Sequence, residues 1–315
     1  MTNYLITGIG GDIAQGISRI IRSYDQNSFI IGTDVSTKHA GLLFVDHFTV
    51  VVSASDEDSY LESLQSIVAE FGINYLIPTS ETEIETINKH VDLFKDIHII
   101  YSGAKVVETC LDKYITNKFL TSIGLPVPWA TTAQEFIPAD YPCIFKGRQG
   151  AGSKVLFTVE SAGEALFLAK RYPDGMFQEL LLPHDSETTC GVFRSKTGEI
   201  AVLQLQRVLK GGMTSWGKTV YYKNIDDMCK TVAEALELQG SMNIQLRLTS
   251  DGPRIFEINP RFSSTLYMRH IIGFEDLIWS IKDANGISFD FPEINRGIEI
   301  VRTLSSELLP TVTVK

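Results

Sequence analysis

Short apolar runs alternate with stretches of helical period along most of the chain, and that rhythm predicts an α/β fold. Asn3 to Thr7 reads as a buried strand, followed by a glycine-bearing turn from Gly8 to Gly16 and a helix marked by Ile17, Ile20 and Ile21. Phe29 to Asp34 predicts a second strand that ends in an acid. Residues 48–52, 75–79 and 98–102 continue the series as strands, with a helix over 59–71 and another from Lys105 leading out of this first region. We place the end of that domain near Val107, so that it spans residues 1–107.

A strand, a glycine turn, a helix and a second strand ending in Asp34 together suggest dinucleotide binding. The spacing argues against it. Counting from Gly8, the third glycine of G-x-G-x-x-G would fall at position 13, which is Ile13, and the next glycine is Gly16. At the carboxyl end of the 75–79 strand, Thr79, Ser80 and Glu81 suit either a contact to an acceptor substrate or a plain helix N-cap.

Beyond residue 107 the pattern changes. Cys110 to Leu120 reads as one amphipathic helix, closed by Gly124-Leu125-Pro126-Val127-Pro128. A buried strand around Ile144 then delivers Lys146, and a turn through Gly147, Arg148, Gly150, Gly152 and Ser153 follows. Backbone N–H groups of such a loop can wrap phosphate oxygens, and Lys146 and Arg148 add the charge that a phosphate site needs. A flexible surface hairpin is the alternative for the same residues. Residues 176–182 predict a strand running into Pro183 and Glu187, and 191–194 pairs with 200–208 as antiparallel strands. Residues 210–218 form a glycine-rich loop, 226–238 a helix, and 297–302 one short strand in the tail.

The late segment Arg254-Ile255-Phe256-Glu257-Ile258-Asn259-Pro260-Arg261 is the most informative. Period two puts Phe256 and Ile258 on one face and Glu257 and Asn259 on the other. A carboxylate beside an amide oxygen suits a hard cation such as Mg²⁺. Pro260 ends the ladder, and Arg261 offers a fork of donors for phosphate or carboxylate. Upstream, Met242 to Leu248 alternates in the same way. A three-residue loop of Ser250, Asp251 and Gly252 would set Thr249 against Pro253 and Gln245 against Glu257, so that Gln245, Glu257 and Asn259 share a face.

This N-x-Q strand followed by F-E-I-N-P-R resembles the metal-binding hairpin of the ATP-grasp superfamily. The closest likeness is to the branch holding the carbamoyl phosphate synthetase large subunit and stand-alone carboxylate-amine ligases. The Lys146 loop is similar to the family's phosphate loop, except that relatives commonly carry proline where Gly147 stands. The resemblance implies a Rossmann-like N-terminal domain followed by a two-subdomain ATP-grasp fold over 108–290, with a tail over 291–315. It implies that Gln245 and Glu257 hold one Mg²⁺ and Glu257 and Asn259 a second. It gives ATP binding to Lys113, Lys146, Arg148, Gly150, Gly152, Ser153, Glu179, the backbone of Leu180 and Leu181, and Glu187. Arg261 would face the transferred phosphoryl group, and Arg207 and Lys210 are candidates for phosphate or substrate carboxylate. Arg269 suits either a substrate contact or an ordinary surface position.

The implied activity is an ADP-forming ligase that uses ATP and Mg²⁺ to join a carboxylate to an amine through an acyl phosphate. Carboxyphosphate or carbamate chemistry, and a nucleotide-binding module without turnover, are the alternatives. Composition fits a globular chain of 315 residues, 44% hydrophobic and 21% charged. Its net charge of −10 argues against nucleic acid as a bulk partner. No apolar run reaches the roughly 18 residues of a membrane span, and the N-terminus enters a strand directly, so we expect a cytoplasmic protein. Cys110, Cys143, Cys190 and Cys229 show no metal-ligand spacing, which points to reduced thiols. The expected partners are small-molecule carboxylate and amine substrates, without nucleic acid or membrane, and a homodimer is left open.

Overall fold

The computed structural model describes residues 1–150 and 155–309. Its first layer is a parallel sheet built from β1 (Asn3–Ile6), β2 (Phe29–Asp34), β3 (His47–Val50), β4 (Tyr75–Ile77) and β5 (His98–Ile99), in the order β3-β2-β1-β4-β5. The central strands β1, β2 and β4 are buried on both faces, as the interior of a parallel sheet requires. Helix α1 (Asp12–Tyr24) covers one face with Ile17, Ile20 and Ile21. Helices α2 (Glu57–Phe71) and α3 (Glu81–Lys89) cover the other, through Tyr60, Leu61, Leu64 and Ile87. The turn after β4 is a helix cap: Ser80 Oγ accepts from Glu83 N at 3.3 Å and the Glu83 carboxylate accepts from Ser80 N at 3.1 Å.

The helix expected from Lys105 and the one expected over 110–120 both form, but the second begins three residues later than Cys110. Helix α4 (Ala104–Cys110) stops, and α5 (Lys113–Ser122) restarts with Asp112 as its N-cap, accepting from the N–H groups of Tyr114 and Ile115. The amphipathic pattern runs through this break because both helices pack on the same core, with Val106, Cys110 and Leu120 in one cluster. The Asp112 side chain competes for the N–H groups that a continuous helix would have used.

The middle of the chain forms a four-stranded sheet, β6 (Ala130–Thr132), β7 (Cys143–Gly147), β8 (Leu156–Val159) and β9 (Gly175–Glu179), in the order β6-β9-β7-β8, with α6 (Ala162–Arg171) packed against it. The strand expected over 176–182 therefore stops at Glu179, and the backbone of Leu180 and Leu181 crosses free of any ladder.

The largest sheet is six-stranded. It contains β10 (Glu187–Arg194), β11 (Ile200–Lys210), β12 (Met213–Val220), β13 (Gly240–Thr249), β14 (Gly252–Asn259) and the tail strand β15 (Glu299–Val301), in the order β14-β13-β10-β11-β12-β15. Helix α7 (Lys223–Ala235) covers one face with α4 and α5 through Cys190, Val192, Ile225, Val232 and Ile244. The glycine-rich loop expected over 210–218 is instead a tight turn at Gly211 and Gly212, both at positive φ, from which β12 returns along β11. Helices α8 (Leu266–Ile272) and α9 (Asp276–Ala284) pack on α1, so Leu266, Leu277, Ile278 and Ile281 join the core of the first layer. All four cysteines are buried free thiols.

The β13–β14 hairpin differs from expectation in an instructive way. Thr249 pairs with Gly252, so the loop has two residues and the register near the turn is shifted by one. A bulge at Phe256 then absorbs one residue, and Gln245 still faces Glu257, with Asn243 opposite Asn259. The polar face survives because the two departures cancel.

Candidate functional site

Lys113, Lys146 and the β13–β14 hairpin converge between the small sheet and the large one. Strand β7 carries Lys146 inward until only 7% of it is exposed, and its Nζ donates to the Phe256 carbonyl freed by the bulge, at 3.2 Å. Burial pushes the ammonium down from 10.5 to about 8, the Glu257 charge counters part of that, and Lys113 adds to it. Lys113 begins α5, its Nζ donates to the Gly150 carbonyl at 2.9 Å, and it stands 4.0 Å from a Glu257 oxygen. Gly150 adopts a φ of +90°, where a side chain would be strained. Gly152 and Ser153 lie outside the described residues.

Glu257 and Asn259 make no side-chain hydrogen bond among the described residues, whereas the Gln245 amide oxygen accepts from Arg207 at 2.9 Å. The donor set fits Mg²⁺. All three donors are hard oxygens on one face, a single carboxylate leaves room for substrate phosphates to complete the coordination, and an amide oxygen that accepts one hydrogen bond keeps a second lone pair. The Glu257 and Asn259 oxygens are uncommitted, and Glu257 stands 4.0 Å from Lys113 and interacts electrostatically with Lys146.

The neighbouring acids and arginines are closely tied. Glu187 Oε1 takes both Nε (2.9 Å) and Nη2 (2.6 Å) of Arg207, and its Oε2 takes Arg247 Nη2 at 2.9 Å. Glu179 accepts from the Trp129 N–H at 3.2 Å and from Arg254 at 2.9 Å, which binds the end of β9 to the hairpin. Arg148 forks onto Asp112, its Nη2 at 2.6 Å, and lies over the Tyr114 ring.

Arg261 follows the hairpin and reaches the first layer, where its Nη2 donates to Glu81 at 3.3 Å while its Nη1 donates to the Phe262 carbonyl. A second arginine makes a similar crossing from the tail. Arg302 donates to the Thr214 carbonyl at 3.0 Å and to the Ser264 carbonyl, and its Nη1 stands 3.4 Å from Asp12. Arg269 is neither of the things its position in sequence suggested. It is fully buried, paired with an equally buried Asp276 at 2.6 Å, and its stem lies over Gly191, where a Cβ would meet it at 2.6 Å.

A family model described as "ATP-grasp in the biosynthetic pathway with Ter operon" matches residues 173–305. No curated protein matches by sequence. Among solved structures, the chain is similar to N5-carboxyaminoimidazole synthetase from Staphylococcus aureus complexed with ADP. Identity is 14%, the TM-score is 0.75, and 92% of this chain and 78% of that one are covered. The N5-carboxyaminoimidazole ribonucleotide synthetase from Thermotoga maritima aligns at 19% identity with a TM-score of 0.67, over 93% of this chain and 78% of that one. The biotin carboxylase domain of the Hydrogenobacter thermophilus 2-oxoglutarate carboxylase aligns at 13% and 0.72, over 95% and 73%. The chain has the ATP-grasp fold.

Seen on that fold, most of the residues singled out in sequence fall into two groups, with Arg261 and Arg269 outside both. Lys113, Lys146, Gly150, Gln245, Glu257 and Asn259 come together around the hairpin. Arg148, Glu179, Glu187 and Arg207 have their charges already committed to protein partners, Asp112, Arg254, Arg207 and Glu187 respectively. Asp112, Arg247, Arg254, Phe256 and Arg302 escaped the sequence reading. Arg247 had a usable signal, since it lies two residues beyond Gln245 and shares its face. Phe256 had none, because a bulge is invisible to alternation.

Proposed function

We propose that the chain is an ATP- and Mg²⁺-dependent ligase, ADP-forming, which joins a carboxylate to an amine through an acyl phosphate. The observation that carries this reading is the uncommitted Glu257 carboxylate beside Asn259, 4.0 Å from Lys113 and on the bulged strand whose Phe256 carbonyl holds Lys146. Lys113 and Lys146 bind the nucleotide phosphates and offset charge that builds on the transferred group. Glu257, Asn259 and Gln245 hold Mg²⁺, which supplies Lewis-acid neutralisation of the phosphate oxygens when bound. Arg148, Gly150, Gly152 and Ser153 belong to the loop over the phosphates, and Glu179, Leu180, Leu181 and Glu187 to the base and ribose side. Arg207 orients Gln245. Arg261 leaves Glu81 to meet the acyl phosphate or the group being transferred. The domain division we propose is 1–107, 108–290 and a tail from 291.

A second reading is supported by the names of the structural neighbours, a carboxylase and synthetases of a carboxylated product. There the carboxylate donor is bicarbonate and the activated species carboxyphosphate. ADP release is measured with ATP and Mg²⁺ in pools of amino acids and small carboxylic acids, with and without bicarbonate, beside a Glu257→Ala control. Release that depends on a carboxylic-acid pool and is lost in the control supports the ligase. Release that depends on bicarbonate alone supports the second reading, and equal release by the control rejects the metal site.

A further inference from the structure

Arg247 stands on β13 directly across from Glu187 on β10, and it lies two residues beyond Gln245, on the same face of the strand. Four observations meet on this side chain. Its Nη1 donates to the Leu181 carbonyl at 2.8 Å, which fixes the crossing segment between the two sheets. Its Nη2 donates to Glu187 Oε2 at 2.9 Å. Its Cζ lies 5.8 Å from the centroid of the Phe256 ring, a ring that Lys146 Nζ approaches to 5.9 Å. Its Nε is buried and has no partner among the described residues.

A carboxylate offers about four acceptor positions. Arg207 takes two on Glu187 and Arg247 a third, so one remains for a ligand. The Leu181 carbonyl is likewise partly used, which leaves the free Leu180 carbonyl and Leu181 N–H to meet the edge of a base. A planar fork is suited to this double task, and lysine is not, because the two acceptors lie in fixed and different directions.

We propose that Arg247 is a positioning residue of the nucleotide site. It sets the Leu180–Leu181 backbone against the base and aims the last free acceptor of Glu187 at a ribose hydroxyl. The inference rests on the reading of the cleft as a nucleotide site. It predicts that the chain distinguishes a nucleotide with ribose hydroxyls from one without, and that this discrimination belongs to Arg247.

The test is calorimetric titration with ADP and with 2′,3′-dideoxy-ADP, in the presence of Mg²⁺, for wild type, Arg247→Met and Arg247→Lys. Wild type is expected to prefer ADP about tenfold, the equivalent of one charge-assisted hydrogen bond. In Arg247→Met, ADP binding weakens about tenfold and the preference falls at least threefold, while Arg247→Lys recovers little of either. General loosening of the fold weakens both nucleotides alike and leaves the ratio untouched, so an unchanged ratio overturns the proposal. Absence of ADP binding by wild type overturns the nucleotide reading itself. Should the Met variant fail to fold, Arg247→Gln, which keeps an amide donor on a shorter stem, is titrated in its place with the same two nucleotides and the same criterion.

Discussion

Replacing Lys146 with Met removes a charge that folding disfavours. Its ammonium, which ordinarily titrates at 10.5, is brought by burial to about 8. Holding it protonated at neutral pH therefore costs roughly 3 kcal/mol. The hydrogen bond to the Phe256 carbonyl returns about 1 kcal/mol of that, and methionine occupies nearly the same space with an adaptable thioether. The variant should be about 2 kcal/mol more stable than wild type at pH 7, by urea unfolding. The sign of the pH dependence follows from linkage. A lysine lowered in the folded state binds fewer protons there than in the unfolded chain between about pH 8 and 10.5, so wild type gains stability as pH rises through that window. Close to 2 kcal/mol of the difference between the two proteins should be gone by about pH 9.5. On the proposed reading of the site, the same substitution should also abolish ADP binding. A variant that is less stable at pH 7, or a difference that does not change with pH, would refute the reasoning.

Other substitutions test separate parts of the architecture. Glu257→Gln removes the one carboxylate of the proposed metal set, and ADP release should drop by at least a hundredfold with the melting midpoint little changed; retained turnover would count against the metal assignment. Asp276→Ala leaves the Arg269 guanidinium buried without its partner, and unfolding should be easier by about 3–5 kcal/mol, measured by urea denaturation. Asp112→Ala removes the N-cap of α5 and frees Arg148, at a stability cost of about 1–2 kcal/mol; a change within the error of the unfolding curves would show that the cap is dispensable.

How much of this was legible in the sequence depends on the distance over which each feature is decided. Strand β2 falls on the residues its apolar run predicted, Phe29 to Asp34, because a buried parallel strand is written in a few consecutive side chains. The pairing of Gln245 with Glu257 was legible too, although the route to it was not. Loop length and the Phe256 bulge trade one residue against each other, and alternation constrains only their sum. Asp112 stayed hidden for a related reason, since a cap inside an unbroken amphipathic pattern looks like another polar position. Charge commitments were the least legible. Whether Glu187 is free for a ribose or held by Arg207 and Arg247 depends on partners 20 and 60 residues away. The fate of Arg269 turned on Asp276, Ser263 and Asn243 closing around it, which no local pattern announces.

The crossing made by Arg302 ties together segments from the two ends of the described chain. Strand β15 lies on the outer edge of the large sheet, yet the residue after it stands beside Asp12 in the first turn of the first helix. Any hinge motion that separates the parallel-sheet layer from the large sheet must stretch or release that bridge. A fluorophore attached near residue 303 would therefore report on closure without touching the cleft. A truncation ahead of Glu299, chosen to trim an idle-looking tail, would remove a mechanical link between the parallel-sheet layer and the large sheet.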